Sequence, residues 1–474
     1  MSGRSTPARL ALGIVVACAA AAVAVGAVVV PLPHSTTAAV SITAQPAASD
    51  AVVACTGPVL ASGRDATDAS ELTDAAAQRL IAGVSAGAPD ATEETLLAPD
   101  VTSGAGPVAY TAASSDAAVT DVAAAGSSRL SADDVTGFAA SACGRAQLET
   151  WLTAGSATTG AADLVVLANP GEVAAQVTIT VYGAQGASVP AAGTDIVVDA
   201  GTQRVIPMAA LALGEENPVL QVTASEAPVR ASVQASLTRV LDPGGVDQIG
   251  PSAVPAARIV IPGVPVTSAP GETGDSDVPT SLRLLAPSAD ATATVTVYRD
   301  ATAVGEPQSV PLLAGVPLQL DLAGLDPGSY TVVVEATAPV TGAVWATSGF
   351  DAGSDFGWFV AAERLTVASL VAVAAGDDPV LTLFGDGVAQ TVTVRADAGA
   401  GTATAVEVPA DGAAEVSVTA GEVYLIEPDA GADAAGASDA GLYAAVTYAQ
   451  TGAIAGYAVA PAAAAADAFT VYPR

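Results

Sequence analysis

The segment Val177-Thr178-Ile179-Thr180-Val181-Tyr182 alternates apolar and polar side chains, and most of them are β-branched. This alternation is typical of a β-strand with one buried face. Closely similar segments recur at 293–298 (ATVTVY) and 390–395 (QTVTVR). Three copies in one chain predict a repeated β module.

Two further short motifs keep the same order around these segments. The first precedes a predicted strand as Ala-Gly at 200–201 and 314–315 and as Asp-Gly at 411–412. The second precedes the next strand as Ala-Pro-Val at 227–229 and 338–340, and its third copy is aligned with Thr-Gly-Ala at 451–453. The spacing indicates modules of about 100 residues.

Modules of this length, with short strands and Gly, Pro or Asp at their turns, predict an all-β chain of tandem immunoglobulin-like antiparallel β-sandwiches. A single ring of repeats, propeller-like or trefoil-like, is the alternative, although the period is long for a propeller blade. The predicted sandwiches cover residues 161–265, 278–375 and 378–474. Aromatic residues make up only 4% of the chain, so the cores should consist of small side chains.

The region before the sandwiches is harder to assign. Residues 34–54 are rich in Ala, Ser, Thr and Pro and predict a spacer or a first short strand, and residues 55–160 form a mixed N-terminal module. Within that module, Ser70–Gly83 has a helix-forming composition that ends in glycine, which favours a helix.

The N-terminus carries Arg4 and Arg9, and residues 10–32 then contain no charged side chain. A helix of this length matches a bilayer core, and the arginines predict a cytoplasmic N-terminus with the bulk of the chain outside the cell. Three interpretations are open: an uncleaved anchor in the cell membrane, a signal peptide whose cleavage leaves a secreted protein, and a lipoprotein signal ending at Cys18. The length of the apolar run beyond Cys18 favours the anchor over the other two.

Charge and cysteine content agree with export. The net charge of −33 repels phosphate groups, so a nucleic acid partner is not expected. Cys18 lies in the apolar run, which leaves Cys55 and Cys143 to pair with each other in an oxidising compartment. The alternative is that both are unpaired, buried thiols.

Residue types argue against familiar enzyme centres. His34, the single histidine, lies in the spacer beside the membrane, so histidine-dependent nucleophiles and zinc sites are not expected. A glycosidase-like site would need a pair of carboxyl groups for acid–base catalysis. Asp351, Asp355 and Glu363 lie near Trp358, but in a chain this acidic such a grouping is expected without a catalytic role. The acidic loops at 274–277 and 429–439 do not match a calcium-loop spacing. We therefore predict no catalytic residue, no metal site and no cofactor.

One segment concentrates aromatic residues in an aromatic-poor chain. Residues 350–359 (FDAGSDFGWF) contain Phe350, Phe356, Trp358 and Phe359. These four rings are candidate binding residues, since rings on a loop can stack on sugars or contact a partner. The alternative is that Trp358 and Phe359 fill the end of the second sandwich core.

The segment from Leu148 to Gly160, followed by Leu164 to Gly171, has the order Trp-Leu-Thr-Ala-Gly-Ser and then Leu-Ala-Asn-Pro-Gly. In this order it resembles a family of large exported actinobacterial proteins that is known as a domain of unknown function. The resemblance covers roughly residues 50–474 and implies a membrane segment, a β-rich exported region and a cell-envelope setting. It implies no catalytic residues.

Together these features predict a non-enzymatic, membrane-anchored extracytoplasmic protein of the cell envelope. Its expected partners are the membrane, through residues 10–32, and a cell-wall polymer or an envelope protein. The alternative function is carbohydrate recognition by the aromatic segment at 350–359.

Overall fold

The computed structural model describes residues 6–29, 41–44, 48–64, 67–68, 70–114, 120–268, 279–428, 441–463 and 469–472. These fall into two compact units, Met1–Pro46 with Ala466–Arg474, and Ala47–Ala465. The first unit contains helix α1 (Thr6–Val29) and strand β1 (Ile42–Ala44), which pairs antiparallel with the last strand of the chain, Phe469–Val471.

Helix α1 forms because its Ala-, Val- and Leu-rich sequence contains neither proline after the first turn nor any charge after Arg9. The window Arg9–Gly26 has a mean hydropathy of 2.2, and none of it is buried by the rest of the chain. With 24 residues the helix is about 36 Å long, enough to cross a bilayer core. The apolar N-terminal helix is therefore confirmed, and its length and composition suit a membrane anchor or a signal peptide.

The second unit begins with the N-terminal module, residues 48–147. Three small antiparallel sheets, β2-β7-β6, β3-β4 and β5-β8-β9, build it. The strands are β2 (Ala51–Ala54), β3 (Val59–Ser62), β4 (Leu72–Ala76), β5 (Arg79–Val84), β6 (Thr92–Thr95), β7 (Val108–Ala112), β8 (Val122–Ser131) and β9 (Thr136–Ala142).

The strands of this region bear on two expectations. Ser70–Gly83, whose composition favours a helix, contains strands β4 and β5, because pairing with β3 and β8 overrides the helix propensity of its alanines. Within residues 34–54, where a spacer or a first short strand was expected, β2 is a strand that pairs with β7 and belongs to the module.

The first sandwich packs a sheet β10-β16-β12-β13, with β14 also on β12, against a sheet β15-β11-β17-β18. Its core contains Leu152, Val165 and Ile179 from both sheets. Its elements are β10 (Glu149–Leu152), β11 (Leu164–Asn169), β12 (Ala175–Gly183), β13 (Gly186–Ser188), a 3₁₀ helix (Ala191–Gly193), β14 (Ile196–Val198), β15 (Thr202–Pro207), α2 (Met208–Ala212), β16 (Val219–Ser225), β17 (Arg230–Arg239) and β18 (Asp242–Ile249).

The second sandwich is organised by one strand of 20 residues, β24, whose first half pairs with β19 and β21 and whose second half pairs with β20 and β25. It therefore belongs to both sheets. The strands are β19 (Ala256–Val266), β20 (Thr280–Leu285), β21 (Ala291–Arg299), β22 (Thr302–Leu312), β23 (Leu318–Asp321), β24 (Gly328–Thr347) and β25 (Phe356–Val360).

The third sandwich packs the sheet β26-β31-β28-β29 against the sheet β30-β27-β32-β33. Its elements are β26 (Ser369–Ala372), β27 (Val380–Asp386), β28 (Gln390–Arg395), a 3₁₀ helix (Asp397–Gly399), β29 (Ala403–Val408), β30 (Gly412–Ser417), β31 (Val423–Pro428), β32 (Gly441–Gln450) and β33 (Ala453–Ala458). The predicted all-β class with antiparallel sheets is confirmed, and the paired sheets are compatible with an immunoglobulin-like arrangement.

The sequence repeat corresponds to a structural repeat. The alternating segments lie on β12, β21 and β28, and each of these strands pairs with the strand that follows it and with a later strand of its own module. The third copy of the second motif was aligned wrongly. Strand β33 corresponds to β18 and β25, and the true counterpart of β17 is β32, which pairs with β27 as β17 pairs with β11.

Module boundaries lie earlier than the sequence suggested. Strand β10 was assigned to residues 55–160 but pairs with β16 of the first sandwich. Strand β19 was assigned to the first sandwich at 161–265 but pairs with β24 of the second. The repeat unit therefore starts one strand before the point where regular alternation becomes visible.

The four modules close into a ring. The last strand of each module, β9, β18, β25 and β33, is here called an axial strand. Strand β9 packs on β18, β18 on β25, β25 on β33, and β33 returns to β9. Sandwich modules and a ring of repeats were alternative predictions, and the structure combines them, with the N-terminal module as a fourth member that the sequence repeat did not show.

Candidate functional site

The aromatic segment at 350–359 lies at the centre of this ring. Phe356, Trp358 and Phe359 are 3%, 6% and 3% exposed, whereas Phe350 is 48% exposed. On β25, Phe356 and Trp358 point into the core of the first sandwich, while Phe359 points into the core of the second. Strand β25 thus serves two cores, which is why it carries so many large rings.

This placement bears on the predicted binding role. Three of the four candidate rings are buried and offer no face to a sugar. Filling a core is what the sequence suggested as the alternative, but Trp358 fills the first sandwich and not the second. Phe350 lies apart from the other three, with the Arg239 guanidinium carbon 3.7 Å from its ring centre and Trp345 stacked at 6.5 Å.

The carboxylate of Asp355 joins all four modules. It is fully buried just before β25, and it accepts the backbone N–H of Phe138 on β9 at 2.9 Å, of Val246 on β18 at 3.2 Å and of Ile454 on β33 at 3.1 Å. The N–H of Phe356 on β25 also helps to lower the pKa of this carboxyl group. Three axial strands therefore each donate one N–H to a carboxylate that lies just before the fourth.

Two glycines make room for this carboxylate. A Cβ on Gly137 or on Gly245 would lie 2.6 Å from Oδ1 of Asp355, and their φ angles of +131° and +118° are ones that L side chains rarely adopt. The backbones of β9 and β18 can approach Asp355 only because both positions lack a side chain.

A second buried carboxylate lies between the first and second sandwiches. Asp247 on β18 accepts the N–H of Trp358 and that of Gln248, both at 2.8 Å. Burial raises the pKa of Asp355 to about 8 even with its N–H donors. Burial, with the nearby charge of Asp355, raises the pKa of Asp247 well above its ordinary value. Both groups accept backbone N–H bonds and are closed to solvent, so neither is placed to exchange protons with a substrate.

Polar side chains also link neighbouring modules around the ring. Gln248 donates to the carbonyl of Gly57 at 2.9 Å, and Thr447 donates to that of Gly263 at 2.7 Å. Arg283 of the second sandwich reaches the carbonyls of Gly155 and Pro218 in the first, with its guanidinium carbon 4.5 Å from the Trp358 ring centre.

A cavity of about 100 Å³ lies where the axial strands end, at the opposite end of these strands from Asp355. This axial cavity is lined by residues from all four modules. Its walls are mostly apolar, with Ile249, Val360 and Tyr457 among them. Its charged residues are Arg145, Arg230 and Glu363. These outline the candidate functional site.

Arg230 is the unusual member of this group. It is 4% exposed, it donates to the carbonyl of Ala231 and, at 3.3 Å, to that of Ala142, and its Nε has no hydrogen-bond partner. In the described part of the chain no carboxylate forms an ion pair with it. Burial lowers the pKa of Arg230 to about 10, which still leaves it charged at neutral pH.

Arg145 and Glu363 balance each other at the same cavity. Burial raises the pKa of Glu363, and the positive charge of Arg145 offsets part of this rise. The two groups therefore lie within electrostatic reach of each other. Arg145 also donates to the carbonyl of Pro461, just after β33.

The disulfide holds one wall of the cavity. Cys55 and Cys143 are bonded as predicted, with a Cα–Cα distance of 4.1 Å, and Cys143 lines the cavity at the end of β9. It thereby fixes the end of an axial strand to the segment after β2.

Among the described residues, no group of three or more His, Cys, Asp and Glu side chains is placed to hold a metal ion. His34 and the acidic loops at 274–277 and 429–439 lie outside the described residues.

Residues 98–419, more than half of the chain, match a family of unknown function, DUF5719. The chain belongs to the DUF5719 family. The match spans axial strands β9, β18 and β25 together with Asp355 and Arg230, and it ends before β33. No curated protein matches this DUF5719 chain. This match supports the part of the resemblance at residues 148–171 that predicts a family of unknown function.

Sequence reasoning missed the axial site of this DUF5719 chain. Asp355 was noted only as an acidic neighbour of Trp358, and Arg230 and the glycines opposite Asp355 were not singled out. A usable signal was the alignment of Gly137, Gly245 and Asp355 at the start of equivalent strands, which becomes visible once the N-terminal module is included in the repeat.

Proposed function

We propose that this protein is a non-enzymatic, membrane-anchored, extracytoplasmic component of the cell envelope, in which the ring of modules contacts a cell-wall polymer or an envelope protein. The observation that carries the proposal is the combination of helix α1 with the Cys55–Cys143 disulfide. An apolar helix of this length gives a route to the membrane, and a disulfide is typical of an oxidising compartment.

The non-enzymatic part is supported by what the buried carboxylates do. Burial raises the pKa of Asp355 and of Asp247 in the centre of the ring. Both carboxylates accept hydrogen bonds from the backbone of other modules. Strongly shifted carboxyl groups often indicate acid–base catalysis. In this fold the pKa values are raised because both carboxyl groups are buried where modules meet.

Carbohydrate recognition through Phe350, Phe356, Trp358 and Phe359 is the alternative function, but the burial of three of these rings removes the stacking surface it needs. We therefore propose the structural and interaction role in its place. The W358A variant described in the Discussion also bears on this choice, since a buried ring affects stability and a binding ring affects affinity.

Membrane anchoring is tested on the full chain expressed in a bacterial host. The protein should stay in the membrane fraction after alkaline carbonate washing and should be cut by protease added to intact spheroplasts. Val16→Arg, at the middle of α1, should cost about 2.5–3.5 kcal/mol of insertion free energy and shift protein into the soluble fraction. The matched control Val16→Leu should leave the distribution unchanged.

Mass spectrometry of the isolated protein distinguishes the three fates of the helix. An intact N-terminus supports the anchor, loss of residues 1–39 or so indicates a signal peptide, and an acylated Cys18 indicates a lipoprotein. Recovery of the intact chain from the cytoplasm with a reduced Cys55 would contradict the whole proposal.

Contact with the envelope is tested by sedimenting the detergent-solubilised full chain with purified cell-wall sacculi and by crosslinking in intact cells. Saturable co-sedimentation identifies a wall polymer, and a defined crosslinked protein identifies an envelope partner. If neither is obtained while the protein is correctly exported and folded, the interaction role is rejected.

A further inference from the structure

The axial cavity has a net positive charge, whereas the molecule as a whole is strongly negative. Two arginines and one glutamate line it, so its formal charge is +1 in a chain whose net charge is −33. Arg145 lies within electrostatic reach of Glu363, which leaves the Arg230 charge uncompensated by any ion pair in the described residues.

A buried guanidinium without a counter-charge is expensive to maintain. Carbonyl groups satisfy part of Arg230, but removing a charge from water is strongly unfavourable unless an opposite charge lies close to it. A merely structural position could be filled by an apolar side chain at lower cost, because exchanging buried charges for apolar groups of similar volume is often neutral or stabilising. Within the described ranges Arg283 is buried without an ion pair too, but it has five oxygen acceptors and the nearby charges of Asp163 and Glu216. Arg230 has two carbonyl acceptors and no such charged neighbour among the residues that the structure describes, so its charge at the cavity wall points to an anionic ligand.

Two cavity-lining glycines bring the backbone up to this guanidinium. A Cβ on Gly144 would lie 2.6 Å from Nε of Arg230, and a Cβ on Gly250 would lie 3.1 Å from its Nη2. Both glycines line the cavity, so the guanidinium lies at its wall. Arginine presents several N–H donors in one plane, and this arrangement matches the two oxygens of a carboxylate.

Cavity size and walls narrow the class of ligand. A volume of about 100 Å³ holds a few water molecules or one small organic ion. Ile249, Val360 and Tyr457 give apolar surface beside the charge, which suits a short hydrocarbon body and disfavours a multiply charged ion such as phosphate. We propose that the axial cavity binds a small monovalent organic carboxylate whose oxygens accept hydrogen bonds from Arg230.

The site is tested on the detergent-solubilised full chain with sodium acetate and sodium propionate as probes. Isothermal titration and thermal unfolding are measured at constant ionic strength, with sodium chloride as the balancing salt and sodium phosphate as the comparison. The expected result is saturable binding of the carboxylates and a rise in Tm that follows ligand concentration. Chloride and phosphate should produce neither at equal ionic strength.

Arg230→Met separates this proposal from a structural role for the arginine. It should reduce carboxylate affinity at least ~10-fold, since a hydrogen-bonded charge is lost, while the Tm without ligand stays equal or rises. Arg79→Met, at an exposed arginine of β5, is the matched control and should bind like the wild type. Arg230→Lys keeps the charge and provides a second variant if the methionine variant does not fold, with an affinity between the two.

The proposal is overturned if neither carboxylate binds the folded wild-type protein, or if Arg230→Met binds them as tightly as the wild type does. Equal binding of phosphate would overturn the assignment to monovalent carboxylates. None of these results depends on the identity of an envelope partner, so the cavity and the proposed function stand or fall separately.

Discussion

Replacing Asp355 tests whether one carboxylate joins the four modules. Asp355→Ala leaves the N–H groups of Phe138, Val246 and Ile454 buried without an acceptor. Each orphaned group costs about 1–3 kcal/mol, so the expected loss is about 3–9 kcal/mol. A loss of this size rivals the whole stability of many proteins, and the alanine variant should unfold at markedly lower denaturant or fail to accumulate.

Asp355→Asn is the more informative variant because it preserves shape. Phe138 and Ile454 share Oδ2, so the amide oxygen can replace that acceptor, whereas the amide nitrogen then faces the N–H of Val246. We expect a loss of about 1–3 kcal/mol from that one broken bond, measured by urea unfolding of the disulfide-intact protein.

The pH dependence provides an independent check. The pKa of Asp355 is raised by burial to about 8, above its ordinary unfolded value of about 3.9. Between these values the folded protein holds a proton that the unfolded chain has lost, so stability is greatest at low pH and falls by up to about 1.4 kcal/mol per pH unit as pH rises toward 8. Asp355→Asn has no titrating carboxyl group at this position, so the fall in stability with pH should be smaller by up to about 1.4 kcal/mol per pH unit. A variant with wild-type stability and an unchanged pH slope would refute the role assigned to Asp355.

Three further comparisons test the packing and the disulfide around the axis. Trp358→Ala should cost about 3–5 kcal/mol in urea unfolding, while Phe350→Ala should cost less than about 1 kcal/mol, and equal effects would contradict the burial difference between these rings. Cys55→Ser should lower stability by about 2–5 kcal/mol, and reductant should then have no further effect on Tm. Gly245→Ala should destabilise more than Gly186→Ala, because both have positive φ but only the first would contact a neighbour, and the reverse order would contradict the close approach at the axis.

The alternating strands could be predicted from the sequence because alternation is a local pattern. The disulfide could be predicted because Cys18 lies in the apolar N-terminal run and leaves one possible pair. The segments on β12, β21 and β28 were identified, and so was the disulfide. Asp355 could not be identified in this way. The N–H donors that bind it lie 217, 109 and 99 residues away in the chain, so nothing near it in sequence shows that its carboxylate has three donors from other modules.

Arg230 was missed for a different reason. On β17 it shares a face with Ser232 and Gln234, and this polar face alternates with the apolar face of Ala231 and Val233 that enters the core. Such alternation predicts a solvent-exposed polar face. The structure buries that face, since Ser232 and Gln234 are each 1% exposed. Alternation shows which face is polar, but it does not show whether another module covers it.

The small side chains that dominate the composition have a specific place in this arrangement. Axial strands from different modules approach closely, and a Cβ on Gly456 of β33 would lie 2.5 Å from Cε1 of Phe359, while one on Gly357 would lie 3.0 Å from Cγ2 of Ile454. The few large rings are then needed only where β25 projects into the adjoining cores. Scarcity of aromatic residues and their concentration at 350–359 therefore have one cause, the packing of four strands around a common axis.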